Sequence, residues 1–148
     1  LAEFTKNLQA VCLDLAKQLQ HDAEGSSHDI TITVSGAASE ADAEEVGRSV
    51  ARNNLFKAAI YGNDPNWGRI LAAVGVTKAE FDPYNIDVSI NGISVSKHGQ
   101  PDQPRELVDL TPRAVEILIN LNSGAHVAEI YTNDLTHEYV EENSAYSS

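Results

Sequence analysis

Val115-Glu-Ile-Leu-Ile-Asn-Leu121, followed by Asn122-Ser-Gly124, is the stretch on which the fold turns. Val115, Ile117, Ile119 and Leu121 fall on one side of a two-residue alternation, and Glu116, Leu118 and Asn120 on the other. Such a period reads as a half-buried strand, even though Thr111-Pro112 just upstream has the form of a helix start. Asn122-Ser-Gly124 then turns the chain, and residues 127–132 are expected to return as the partner strand.

Upstream, Ile86, Val88 and Ile90 alternate as far as Asn91-Gly92, a two-residue hairpin signal, and Ile93 and Val95 begin the return strand. Residues 97–106, rich in Gly, Pro, Gln and Asp, read as a loop. Ile30, Ile32 and Val34 form a further half-buried strand between Thr31 and Thr33. Ahead of it, Phe4, Leu8, Val11, Leu15 and Leu19 recur at helical spacing, with Lys6, Asp14, Lys17 and Gln18 left for solvent and Gly25 as the stop. Ser39 and Asp42 have the spacing of a helix-opening cap, for a helix through about Arg52. The apolar run Leu55–Tyr61 fits strand or helix. Asp64 is suited to cap a short helix with Pro65 at its first position, Trp67–Val74 as its body and Gly75 as its end. A last short helix is expected over 136–142, with Tyr139 and Val140 inward. Helices early and paired strands late give an α+β fold: a layered α/β sandwich-like single domain with a mixed sheet, hairpins and amphipathic helices.

The composition narrows the function. Twenty-two acidic residues against ten basic ones give a formal charge of −12, which repels nucleic acid and anionic membranes but not a small anion held by local donors. No apolar run approaches the roughly 20 residues of a membrane span. The single Cys12 excludes an internal disulfide framework and, beside the apolar helical stripe, is expected to be a small buried side chain. With no Met in 148 residues and Leu1 first, the chain is expected to be a C-terminal piece of a longer precursor.

The five His residues (His21, His28, His98, His126 and His137) include no close ligand pair, so no metal site is expected. No Gly-x-Ser-x-Gly elbow, phosphate loop or dinucleotide fingerprint occurs either. Two constellations remain. Glu24 lies where the first helix ends, either as one more acid in a surplus or as a carboxylate projecting into a cleft to hold an ammonium group. At the chain end, Asn143, Ser148 and the α-carboxylate are either a frayed tail or a set suited to a zwitterionic amino acid.

Five segments in order carry a family resemblance: Asp22-Ala-Glu-Gly25, Leu55-Phe-Lys-Ala-Ala-Ile-Tyr-Gly62, Asp64-Pro-Asn-Trp-Gly-Arg-Ile70, Asp134-Leu-Thr-His-Glu-Tyr-Val140 and Glu142-Asn-Ser-Ala-Tyr-Ser-Ser148. The chain resembles the C-terminal part of the β chain of the ornithine acetyltransferases, the glutamate N-acetyltransferases of arginine biosynthesis. The resemblance implies a cytoplasmic enzyme whose precursor cleaves itself before a Thr. That N-terminal Thr takes the acetyl group of N-acetylornithine and passes it to glutamate. It also implies no cofactor, with acetyl-CoA an alternative donor in some members, and assembly with the α chain and the rest of the β chain into a higher oligomer.

The family's cleavage motif is absent, and Thr5 has the wrong neighbours, so no catalytic residue is expected in this chain. Substrate-binding roles carry over to Glu24, Asn143 and Ser148, with Ser148 standing for the more usual terminal Thr. Ala23 and His28 depart from the family, His28 standing where many members have Lys. The Trp67 segment is assigned to architecture, with Trp67 a large buried anchor and Arg69 open to an acidic partner. Competing readings are a non-catalytic amino-acid-binding module and a relative acting in specialised, antibiotic metabolism.

Overall fold

The computed structural model describes residues 2–21 and 26–134. Helix α1 spans Ala2–His21, and strand β1 spans Asp29–Ala37. Helix α2 (Glu40–Ala51) opens at Ser39, whose hydroxyl accepts from the Asp42 amide at 3.1 Å. The apolar run resolves as helix α3 (Asn54–Tyr61), because Asn53 caps it by accepting from the Phe56 amide at 2.9 Å. Helix α4 spans Trp67–Gly75, and the strands β2 (Asp87–Ile90), β3 (Ile93–Lys97), β4 (Gln100–Pro101), β5 (Ala114–Asn120) and β6 (His126–Asn133) follow. The stretch 97–106 is thus not all loop, since Lys97 turns through His98 and Gly99, both at positive φ, into β4. Asn91 (φ 47°) and Gly92 (φ 81°) form the β2–β3 turn, as two left-handed positions require.

The strands form one mixed sheet in the order β4-β3-β2-β5-β1-β6. β1 runs parallel to β5 and antiparallel to β6. The expected β5–β6 pairing is therefore corrected: β1 lies between them. Leu121 donates its amide to the Ser35 carbonyl at 3.0 Å and Ser123 to that of Gly36 at 2.7 Å, so the connecting loop crosses the end of β1. The bulge between Val34 and Ala37, with Gly36 at φ 64°, makes room for that crossing.

Among the described residues, only one sheet face is deeply buried. Ile30, Ile32 and Val34 stand opposite Val115, Ile117 and Ile119, and all six are sealed beneath α2 and α4 with Val46, Val50, Ile70 and Val74. The other face carries Thr31, Thr33, Glu116 and Leu118, the last 48% exposed. The layered α+β architecture expected from the sequence is the one observed. Among the described residues, no helix is long and apolar enough to cross a membrane.

Helix α1 forms as the periodicity demands, but its apolar stripe is uncovered. Phe4 is 68% and Leu19 74% exposed, and Cys12 is exposed rather than buried. The helix touches β6 near its C-terminal end, and among the described residues none covers the stripe.

Candidate functional site

Three pieces of chain converge at one corner of the sheet: the end of α1, the start of β1 and the end of β6. Gln20, buried at the end of α1, donates from Nε2 to the carbonyls of Ile30 and Thr132, each at 2.8 Å. Asn133 returns the link, its Nδ2 reaching the Gln20 carbonyl at 2.7 Å and that of His28 at 3.1 Å. Arg113 and Asp29 close the rim through a 3.1 Å contact between Nε and Oδ2.

At the centre stands Asp134, 3% exposed. Its Oδ1 accepts from the backbone amides of Ser27 and His28, each at 2.9 Å. Its Oδ2 faces the Ser27 hydroxyl at 2.5 Å and His28 Nδ1 at 2.6 Å. Burial alone would raise this carboxyl group's pKa, but these donors outweigh it and hold the pKa below the usual Asp range. His28 Nε2 meets the Leu110 carbonyl at 2.7 Å. Each ring nitrogen of His28 is thus held by a neighbouring oxygen, and Nδ1 also lies 3.0 Å from the Ser27 hydroxyl.

Lys57, half-buried on α3, lies in the field of Asp134. Desolvation lowers its pKa, and the Asp134 charge opposes that shift. Asp134 already accepts four hydrogen bonds, which leaves it no free lone pair for the ammonium group.

Glu24, Asn143 and Ser148 all lie outside the described residues, as do the helix expected over 136–142 and His137. What is defined is the ground from which their segments depart, at His21, Ser26 and Asp134. Sequence reasoning missed the Ser27–His28–Asp134 cluster because its members are 106 and 107 residues apart. The departure at His28 was the one signal available.

The Trp67 segment is structural in its described contacts. Asn66, not Asp64, caps α4, accepting from the Arg69 amide at 3.2 Å. Pro65 therefore precedes the helix instead of opening it, while Asp64 accepts from the Asn66 side chain at 3.3 Å. Arg69 donates to the Leu55 carbonyl at 2.7 Å, so its described partner is backbone and not an acid, and it links α4 to the start of α3. Trp67 is half-buried against the core rather than enclosed. With Gly68, Val95, Pro104 and Arg105 it lines a cleft of about 440 Å³. Thr5, on exposed α1, has no base beside it in any described contact. Among the described residues, no three His, Cys, Asp or Glu side chains are grouped to hold a metal ion.

The geometry defines a two-layered α/β domain with a polar corner where distant segments meet. The chain matches the ArgJ family over residues 1–148. It is 56% identical over 146 residues to the arginine biosynthesis bifunctional protein ArgJ of Streptomyces avermitilis, which covers 99% of this chain and 38% of that protein. The protein of the same name from Thermobifida fusca is 54% identical over 147 residues, with the same coverage of each. The crystal structure of the arginine biosynthesis bifunctional protein argJ of Bacillus halodurans superposes with a TM-score of 0.91 at 37% identity, covering 98% of this chain and 70% of that one.

The chain belongs to the ArgJ family. The resemblance read from its motifs is borne out, and the chain spans 38% of the length of these two curated relatives.

Proposed function

We propose that the chain is the C-terminal, substrate-holding part of a cytoplasmic glutamate N-acetyltransferase. In the parent protein a Thr outside this chain attacks the acetyl carbonyl of N-acetylornithine, and ornithine leaves as the amine. The amine of glutamate then attacks the acetyl-Thr ester and carries the acetyl group away. The reaction needs no cofactor, and acetyl-CoA would serve as an alternative acetyl donor rather than a resident group. Arginine biosynthesis is the setting given by the names of the relatives.

Within this scheme Glu24 holds the α-ammonium group by a charge-assisted hydrogen bond. Asn143 and Ser148 bind the same amino acid. The observation that supports this division is the sheet corner, where Ser26 follows the Glu24 segment and Asp134 precedes the Asn143–Ser148 segment. The two exits are joined by Asp134 itself.

The uncovered stripe of α1 is read as the surface for the remainder of the parent polypeptide. Relatives more than twice the length of this chain have the material to cover it. The α chain and further copies of the αβ pair complete the assembly in this reading.

The experiment that tests the proposal is acetyl transfer from N-acetylornithine to glutamate by the full-length parent, measured beside this chain alone and beside parent Glu24→Ala. Activity in the parent, none in the isolated chain and weakened substrate use in E24A are expected. Transfer by the isolated chain would overturn the placement of the nucleophile. Wild-type kinetics in E24A would overturn the binding role.

A further inference from the structure

We infer that α1 is a strut shared between two hydrophobic cores: its last turn is locked to this domain, and its apolar stripe is buried against an aliphatic face in the rest of the parent polypeptide. The inference deepens the reading of that stripe given above and rests on the chain being part of a longer protein of its family.

Toward its C-terminus α1 is held by directed contacts. Gln20 bridges β1 and β6 through the Ile30 and Thr132 carbonyls, each at 2.8 Å, and Asn133 binds the Gln20 carbonyl at 2.7 Å. One turn earlier, the Lys17 ammonium group lies 5.9 Å from the centre of the Tyr131 ring. Ala16 and Leu19 line a groove of about 490 Å³ together with Ile130 and Tyr131 of β6. These contacts fix the direction in which the rest of the helix leaves the sheet. Residues 2–15, by contrast, are all exposed.

The exposed length has the form of a core helix. Phe4, Leu8, Val11, Leu15 and Leu19 are each more than half exposed, and Cys12 is exposed at the margin of their row. At 3.6 residues per turn these six side chains span roughly 100° of the helix surface, the width of a helix facing a protein core, broader than a coiled-coil seam. Glu3, Lys6, Asp14 and Lys17 all fall outside that sector. A contiguous uncharged patch of this kind marks a contact surface. A lipid surface fits it poorly, because the polar side sets two Lys against two acids and presents no basic face. Helices in proteins draw most of their stability from packing an amphipathic face, so α1 needs a cover to hold its length.

The relatives have that cover within their own polypeptide. This chain fills 38% of the Streptomyces avermitilis protein and 70% of the Bacillus halodurans chain, so both extend beyond it. A segment of the same polypeptide meets the stripe at an effective concentration that a second copy in dilute solution does not reach. With one end locked by Gln20 and the stripe in a second core, α1 sets the orientation of the two bodies: neither turns without breaking the corner or uncovering the stripe.

Cys12 reports on the cover from its place at the stripe margin. Its alkylation by N-ethylmaleimide, followed by peptide mass spectrometry, is compared in this chain and in the full-length parent, each native and in denaturant. In this chain the native rate is expected to approach the denatured one; in the native parent it is expected to be about tenfold slower or more. Leu8→Asp in the parent is expected to return the Cys12 rate toward that of this chain and to lower Tm by several degrees. Lys6→Asp, on the opposite side of α1, is expected to change neither.

A Cys12 that reacts at the denatured rate in the native parent would overturn the proposal, as would equal effects of L8D and K6D. Protection in this chain that grows with its concentration would give the stripe to a second copy and overturn it too. Should L8D not fold, the wild-type rates decide. A protected Cys12 in a parent without acetyl transfer would remove the acetyltransferase reading and leave the strut standing; transfer with an unprotected Cys12 would do the reverse.

Discussion

Gly124 rests against the backbone of Ala37, so closely that a Cβ at position 124 would stand 2.3 Å from the Ala37 carbonyl oxygen. This contact lies where the loop from β5 passes the end of β1 to reach its far side. Backbone, not a movable side chain, occupies the space. Gly124→Ala is therefore expected to destabilise the chain by about 1–3 kcal/mol. A urea midpoint equal to wild type would show that the loop yields without cost.

The one-sided core makes a paired prediction. Ile32 is fully buried on β1, opposite Ile117 on one neighbour and Ile130 on the other. Ile32→Ala is expected to cost about 2–5 kcal/mol, since the surrounding strands and helices cannot close on the space. Leu118, on the opposite face of the same sheet and 48% exposed, is expected to change stability by within about 0.5 kcal/mol when replaced by Ala. Similar losses in denaturant unfolding for the two variants would contradict the open-faced sheet.

Acid should loosen the sheet corner in a defined window. The folded state holds the pKa of Asp134 below its ordinary value, so the unfolded chain binds that proton first as pH falls. The stability contributed by Asp134 is then fully present above the ordinary Asp pKa of about 3.9 and is lost as pH drops through the lower folded value. Wild type is expected to exceed Asp134→Asn in urea midpoint at pH 7, with the gap narrowing below pH of about 4. A gap of constant size down to about pH 3 would refute this account.

Helix α1 offers a different readout. Leu8 and Leu15 are 52% and 53% exposed in this chain, so replacing both with Lys is expected to leave its unfolding midpoint within about 0.5 kcal/mol of wild type. In the parent protein the same substitutions are expected to impair assembly, read by size-exclusion chromatography. Unaltered assembly would remove the stripe as a contact surface.

The residues that made the fold legible are those whose signal is local. Alternation in β1 and β5, Asn91-Gly92, and the Ser39 cap each act over a few neighbours, and each element formed where expected. The neighbour of β5 was not legible, because pairing depends on residues far away, and the short turn at Asn122–Gly124 suits a crossing as well as a hairpin. Asp64 and Asn66 both have capping chemistry two residues apart, and only the helix start chooses between them. Cys12 and the α1 stripe were read correctly as helix but wrongly as covered, since no described residue packs over them. The corner at Asp134 was invisible for want of any local pattern. Family membership was legible because its motifs are dense, whereas the binding residues it implies fall outside the described segments.

The position of β1 has one more consequence, in time rather than in space. Asp29 and Asn133, 104 residues apart, hydrogen-bond at 3.1 Å, and β1 is flanked by β5 and β6, the last two of the described strands. On the ribosome, the early strand must wait with both edges unpaired until nearly all of this sequence has emerged. A topology so dominated by distant partners folds late and slowly. Until then its Ile30, Ile32 and Val34, all buried in the folded chain, stay open to wrong partners, a step a chaperone would have reason to guard.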